Sequence, residues 1–248
     1  MAKNTESNVY TVLFATTMVL IVGTLLAFVA SSLKEKIAEN KRIEKQQNIL
    51  YAMGVNENDE NSVIFVSKDI VGEEFSKYIT KQIVITGTDV VEDDKAYLID
   101  LKKEEAAAKN KGYQRRLPLF VGVKDNVEYY IIPVRGKGLW DAIWGYVAVD
   151  NQLVVQGVFF DHAGETPGLG SNIKERFFMD DFKGEHFLDG DLFKGISVSK
   201  GNADPKNLDK TDFEVDAIAG STITGDGLAA MLRKDLQLYL PYLKTLKK

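Results

Sequence analysis

From Val9 to Ala30 the chain carries no charged residue. A helix over this 22-residue run, VYTVLFATTMVLIVGTLLAFVA, covers roughly 33 Å at about 1.5 Å per residue, enough to cross a hydrocarbon core of about 30 Å. A cleaved leader is the competing reading, and Ala30 and Ser32 are small enough to flank a cleavage site. Two features favour a retained single-pass anchor. The run exceeds the usual leader core of about 7–15 residues, and Lys3 and Glu6 leave its amino-terminal side without the expected positive charge. Lys34, Lys36, Lys41, Arg42 and Lys45 come after the run. By the positive-inside rule they place the rest of the chain in the cytoplasm, and the interspersed Glu35, Glu39 and Glu44 count little.

The chain beyond the anchor is ordinary globular material, with 45% apolar and 27% charged residues over the full 248. There is no cysteine. That excludes disulfides, thiolate zinc, iron–sulfur clusters, thioether-linked haem or flavin, and a lipidated amino-terminal cysteine. His162 and His186 are too few for a three-histidine zinc site, and no metal site is expected. A net charge of −5 argues against nucleic acid as a partner.

Residues 31–53 read as a solvated helix beside the membrane. Asn56–Ser62 reads as a polar loop, Glu73–Lys81 as a helix, Gln82–Val91 as a strand pair, and Lys102–Lys111 as a polar helix ended by Gly112. Then the pattern becomes β-rich. Leu117–Val123, Glu128–Val134, Ile143–Val149 and Leu153–Phe160 are short apolar runs separated by turn residues. Ile173–Phe178 reads as a short helix, Lys194–Ser199 as a strand and Gly201–Asp212 as a polar loop. In the closing helix, Gly225–Tyr242, the residues Leu228, Met231, Leu232, Leu236 and Tyr239, with Leu243 just beyond, keep helical spacing. The expected fold class is α+β: one amino-terminal transmembrane helix, then a single domain with an antiparallel sheet and flanking helices. The expected divisions are an anchor at 1–31, a juxtamembrane helix and first part of the soluble domain at 32–112, and a ligand-binding domain at 113–248.

Three stretches have the composition of a site. Arg135-Gly-Lys-Gly-Leu-Trp140 is either a hairpin turn with a core tryptophan or a tight turn that presents a flat aromatic. His162-Ala-Gly-Glu-Thr-Pro-Gly-Leu-Gly170 is either a surface turn or a loop whose open backbone wraps a planar ligand or an anion. Asp216-Ala-Ile-Ala-Gly-Ser-Thr-Ile-Thr224 is either a flexible loop with Thr224 capping the last helix, or a place where a phosphate meets a helix amino terminus.

In this order the three stretches resemble the covalently flavinylated members of the FMN-binding domain family. Residues 216–224 look like its flavinylation motif, Asp-x-x-Ser/Ala-Gly-Ala/Ser-Thr-x-Thr/Ser. With the anchor they are most similar to the NqrC family, a component of Na+-translocating NADH:quinone reductases. The resemblance implies FMN joined through its phosphate to Thr222. It implies a cofactor-binding set of Trp140, Glu165, Thr166, Gly168, Leu169, Gly170, Lys200, Asp216, Gly220, Ser221 and Thr224. Ala219 and Ser221 exchange the small residues of the commoner motif, which sets a second hydroxyl beside Thr222.

The activity implied is electron carriage from NADH towards quinone, coupled to Na+ export, with no catalytic residue beyond the flavin. No Gly-x-Gly-x-x-Gly is present, so NADH is oxidised elsewhere in the complex. The implied partners are the other subunits, a flavin transferase during maturation and the bacterial inner membrane. The resemblance implies a flavin domain on the periplasmic side, against the charge count, and we follow the resemblance. Two further readings share part of the pattern: the flavinylated G component of the Rnf ferredoxin:NAD+ oxidoreductase, and a membrane-anchored FMN-binding sensor or assembly module.

Overall fold

The computed structural model describes residues 7–59, 62–201, 204 and 207–247. Parts of the expected loops at 56–62 and 201–212, and the Lys3–Glu6 segment, lie outside the described residues. The chain divides into two compact units, Met1–Arg42 and Ile43–Lys248. The first consists of helix α1 (Asn8–Ala52) as far as Arg42, and among the described residues it holds the one helix long and apolar enough to cross a membrane.

The second unit is built on a six-stranded sheet, fully antiparallel, in the order β2-β1-β3-β4-β5-β6. Its strands are β1 (Ile79–Thr86), β2 (Asp89–Glu92), β3 (Arg116–Lys124), β4 (Val127–Lys137), β5 (Ala142–Val149) and β6 (Val155–His162). Between β3 and β4, Asp125 and Asn126 both take positive φ, 52° and 62°, as a two-residue type I′ hairpin requires. Short helices α2 (Val71–Tyr78) and α3 (Leu101–Ala107) flank the first strands. The Asp100 carboxylate accepts the N–H groups of Lys102 and Lys103 and so caps α3.

Cross-strand register puts Gly122, Tyr129, Ala148 and Gly157 on one face of the sheet. The end of α1 packs there: a Cβ on Gly122 would meet Met53 at 2.8 Å, and one on Gly157 the Ala52 carbonyl at 2.5 Å. Residues 43–53 are therefore not the solvated helix expected. Ile49, Leu50 and Ala52 are buried, and so are the polar Gln46 and Asn48.

Val134, Gly136, Ile143 and Phe160 lie on the sheet's second face. Helix α4 (Arg176–Asp180) covers part of it, with Phe178 and Phe182 packed at tilted and edge-on angles to Phe160. The closing helix, α5 (Thr222–Leu246), covers the rest and buries all six apolar residues of the expected stripe. It starts three residues earlier than expected, with Ser221 as N-cap, so Thr224 is not the capping residue. Two short pairs complete the unit: β7 (Leu188–Asp189) with β8 (Leu192–Phe193), and β9 (Ser197–Ser199) parallel to β10 (Glu214–Asp216). The expected strand over 194–199 survives only as β9.

Candidate functional site

Close packing at one end of the sheet brings the three stretches together. Helix α5 approaches the end of β4 so tightly that a Cβ on Gly136 would lie 2.7 Å from Met231 Cβ, and one on Gly227 only 2.2 Å from the Lys137 carbonyl oxygen. These glycines let the start of α5 rest beside the β4–β5 connection, residues 138–141. The chain leaving β6 at His162 enters the same corner.

Glu165 ties the corner. Its side chain is buried, 4% exposed. Oε1 accepts the backbone N–H of Trp140 at 2.9 Å and, more weakly, that of Asp141 at 3.5 Å. Oε2 accepts the Thr224 hydroxyl at 2.6 Å. The Glu165 N–H donates to His162 Nδ1 at 3.1 Å, which fixes the loop at its origin. One carboxylate thus joins one residue from each stretch. The space around it is filled: a Cβ on Gly170 would come within 2.5 Å of Thr224 Oγ1 and 2.6 Å of Glu165 Oε2, and one on Gly138 within 2.5 Å of Oε1. Burial pushes the Glu165 carboxyl up. The Thr224 hydroxyl and the N–H groups of Trp140, Asp141 and Leu139 outweigh that and hold it below the usual carboxylate range.

Above this buried tie lies an exposed apolar surface. Trp140 is 67% exposed, which decides between the two readings of its turn: it is presented to solvent. Its Nε1–H donates to Thr166 Oγ1 at 3.1 Å, which fixes the indole's orientation. Leu139, Leu169 and Ile223 are also exposed. Gly220, at φ +78°, turns the chain into α5, and a Cβ there would sit 3.0 Å from Leu169 Cδ2. Gly168, at φ +75°, lies open on the facing loop.

The three hydroxyls of residues 221–224 have different surroundings. Ser221 is 7% exposed, and its Oγ is buried and, among the described residues, without a hydrogen-bond partner. Thr224 is buried and engaged by Glu165. Thr222 is exposed, at the first helical position of α5. The N–H groups of that first turn have no acceptor within the helix, and the helix dipole adds positive potential there, so the corner suits an anion beside an apolar plane.

Two expected residues are less closely joined. Asp216 ends β10 and pairs with Ser199. Lys200 comes directly after β9 and is exposed, and among the described residues no hydrogen bond or ion pair reaches it. Val198 of β9 packs on Gly225, which brings this strand pair to the start of α5. Three residues outside the expected set also belong to the corner: His162, which anchors the loop, and Leu139 and Ile223, which are exposed apolar residues of the β4–β5 connection and the first turn of α5. All three lie inside the three stretches, and that is their only signal in the sequence. A cavity of about 660 Å³ lies elsewhere, beside β6 and α4, lined by residues that include Tyr51, Gln156, Arg176 and Lys183. Arg176 there is held by the Asp59 carbonyl and the Asp180 carboxylate.

The FMN-binding domain model matches residues 138–237, from the β4–β5 connection into α5. The C component of the Na(+)-translocating NADH-quinone reductase of Pseudomonas aeruginosa is 29% identical, over 92% of this chain and 91% of its own length. Its namesake from Neisseria meningitidis serogroup A is 26% identical, over 100% of this chain and 98% of its own. Among solved structures, the same component from Parabacteroides distasonis superposes with a TM-score of 0.71 at 32% identity, covering 85% of this chain and 96% of that one. NqrC from Shewanella oneidensis gives 0.66 at 25% identity, covering 83% and 99%.

Proposed function

Because the chain belongs to the NqrC family of the Na+-translocating NADH-quinone reductase, we propose that it carries its FMN as a phosphoester on Thr222. It is a flavin electron-carrier subunit of that membrane-bound oxidoreductase, whose other subunits are its partners. The named relatives favour this reading over the G component of the Rnf complex and over a sensor or assembly module.

The observation that carries the choice of Thr222 is exposure. Of the three hydroxyls between residues 221 and 224, only that of Thr222 is open to an incoming nucleotide and to the transferase that would deliver it. The residues fit the two halves of FMN. For the phosphate, the first turn of α5 offers N–H donors and a favourable dipole, and the unpartnered Ser221 Oγ is a donor that a phosphate oxygen would satisfy. For the ring, Trp140, Thr166 and Leu169 supply an exposed surface, Gly168 leaves open backbone beside it, and Gly170 and Gly220 make room for the Glu165–Thr224 pair and for Leu169. Glu165 and Thr224 hold that surface from beneath. Asp216 would orient the loop towards Thr222, and Lys200 would offset the phosphate's charge. The flavin, when bound, supplies the redox chemistry, and the protein fixes its position and tunes its potential.

The FMN domain lies on the periplasmic side of the membrane in this reading, where the transferase acts. A single cysteine introduced at exposed Asn110, outside the flavin surface, tests it: an impermeant maleimide should label intact spheroplasts, and labelling only after lysis overturns the orientation. Attachment is tested on the full chain co-expressed with a flavin transferase. The wild-type band should stay fluorescent in a denaturing gel and gain the mass of one FMN less water. Ser221→Ala and Thr224→Val should keep the flavin, and Thr222→Val should lose it. Flavin retained by Thr222→Val overturns the assignment.

A further inference from the structure

Glu165 has one property that holding the loops together does not explain. A buried carboxylate ordinarily pairs with a cation or takes up a proton. Among the described residues no Lys, Arg or His side chain pairs with the Glu165 carboxylate. Its oxygens are filled by neutral donors, the N–H groups of Trp140 and Asp141 and the Thr224 hydroxyl. Those donors, together with the adjacent amino terminus of α5, keep it ionised. A glutamine would serve the same geometry. Its carbonyl can accept the Trp140 N–H, and its amide can donate to Thr224 Oγ1, because a hydroxyl both donates and accepts. The negative charge is therefore surplus to the structural role.

We propose that Glu165 is a fixed anion beneath the flavin surface that lowers the cofactor's reduction potential. This rests on the FMN reading above. Glu165 precedes Thr166, is bonded to the backbone of Trp140, and holds Thr224 two residues from Thr222. A ring resting on these residues shares a poorly screened neighbourhood with the carboxylate, and electrons added to the ring are repelled by it. Glu165 acts here as a positioning and tuning residue. It forms no bond to the substrate, and the electrons come from the NADH side of the complex.

The test uses the full-length flavinylated chain in detergent, with covalent flavin measured first and the potential then titrated spectrophotometrically. Glu165→Gln should shift the two-electron equilibrium about tenfold towards the reduced form, equal to about 30 mV in the positive direction. Glu165→Asp, which keeps the charge, should move it less. Glu185→Gln, which removes a buried carboxylate elsewhere in the unit, should leave it unmoved. A fully flavinylated Glu165→Gln protein with an unmoved or more negative potential overturns the proposal and leaves the FMN reading intact. A wild-type chain without covalent flavin overturns both. Should Glu165→Gln not fold, reduced-minus-oxidised infrared spectra of the 13C-glutamate-labelled wild type decide. An ionised carboxylate band that shifts on reduction is expected, and no shift, or a protonated carboxyl band, overturns the proposal.

Discussion

Two loops of the second unit each close over a buried glutamate, and they treat its charge in opposite ways. Glu165, on the loop leaving β6, has no cation beside it among the described residues but has three neutral donors, and its carboxyl lies below the usual range. Glu185, after α4, has the Lys210 ammonium at 3.4 Å and the Asn207 amide at 2.9 Å, yet burial dominates and its carboxyl is pushed up to about 7. Among the described residues one of its oxygens has no partner, nor has the Asn207 carbonyl. Burial is the largest influence on both and is deeper at Glu185; at Glu165 the fuller set of donors outweighs it. A carboxylate whose two oxygens are both filled stays charged in the interior, whereas one left half-filled is driven towards its acid even beside a lysine.

The sharpest way to break this contrast is to deny Glu165 its space. In Gly170→Ala the new methyl would lie 2.5 Å from Thr224 Oγ1 and 2.6 Å from Glu165 Oε2, so the hydrogen bond between them must give way. We expect a loss of about 3 kcal/mol in urea unfolding of the second unit, the upper range for overpacking. Next comes Thr224→Val, which keeps the shape and removes one donor to an ionised group. It should cost about 2 kcal/mol, and it should raise the Glu165 carboxyl so that this glutamate comes to resemble Glu185. A loss under about 0.5 kcal/mol means that the hydroxyl is dispensable.

The pH dependence of stability separates the two glutamates further. Glu185 has a folded-state value raised to about 7 from 4.5, so the folded state holds a proton that the unfolded state has released between those values. Its contribution is complete below the unfolded value and is lost as pH rises towards and through 7. Glu165 has the opposite sign. Its contribution is present above the unfolded value near 4.5 and is lost as pH falls through the depressed folded one. Glu185→Gln should therefore flatten the fall in Tm between pH 5 and pH 8 by about 5 °C, and Glu165→Gln should flatten the acid limb alone. Equal effects of both variants on one limb contradict the contrast.

How much of this is legible in the sequence depends on the kind of signal involved. The strands of the sheet and the stripe of α5 come from alternation and 3.6-residue spacing, which burial enforces over many residues. Thr224 reads as the cap because Ser and Thr are interchangeable as N-caps, and only the tertiary bond to Glu165 separates the roles of Ser221, Thr222 and Thr224. The end of α1 reads as solvated because its apolar residues sit among many Lys and Glu residues, yet even the polar Gln46 and Asn48 are buried. Asp235 falls outside the apolar stripe of α5 by its charge, but it is buried and accepts the Arg135 backbone N–H at 2.7 Å. The motif residues can be found one by one, but that they meet at one carboxylate is a fact of packing, with no local signature.

The smallest expected effect on stability is at Thr222, and that is what makes it informative. The residue is exposed at the first helical position, and among the described residues its hydroxyl makes no hydrogen bond, so Thr222→Val should change unfolding free energy by less than about 0.5 kcal/mol. Thr224, two residues on, sits in the same turn but has the opposite profile: a buried hydroxyl whose removal is costly. If the flavin is attached at Thr222, the two variants should dissociate stability from cofactor. Thr222→Val would be stable and without flavin, and Thr224→Val weakened but flavinylated. A reversed pair of outcomes, with Thr222→Val destabilised by more than about 1 kcal/mol yet fluorescent, would exchange the roles of the two threonines. It would also remove exposure as the ground for choosing between them.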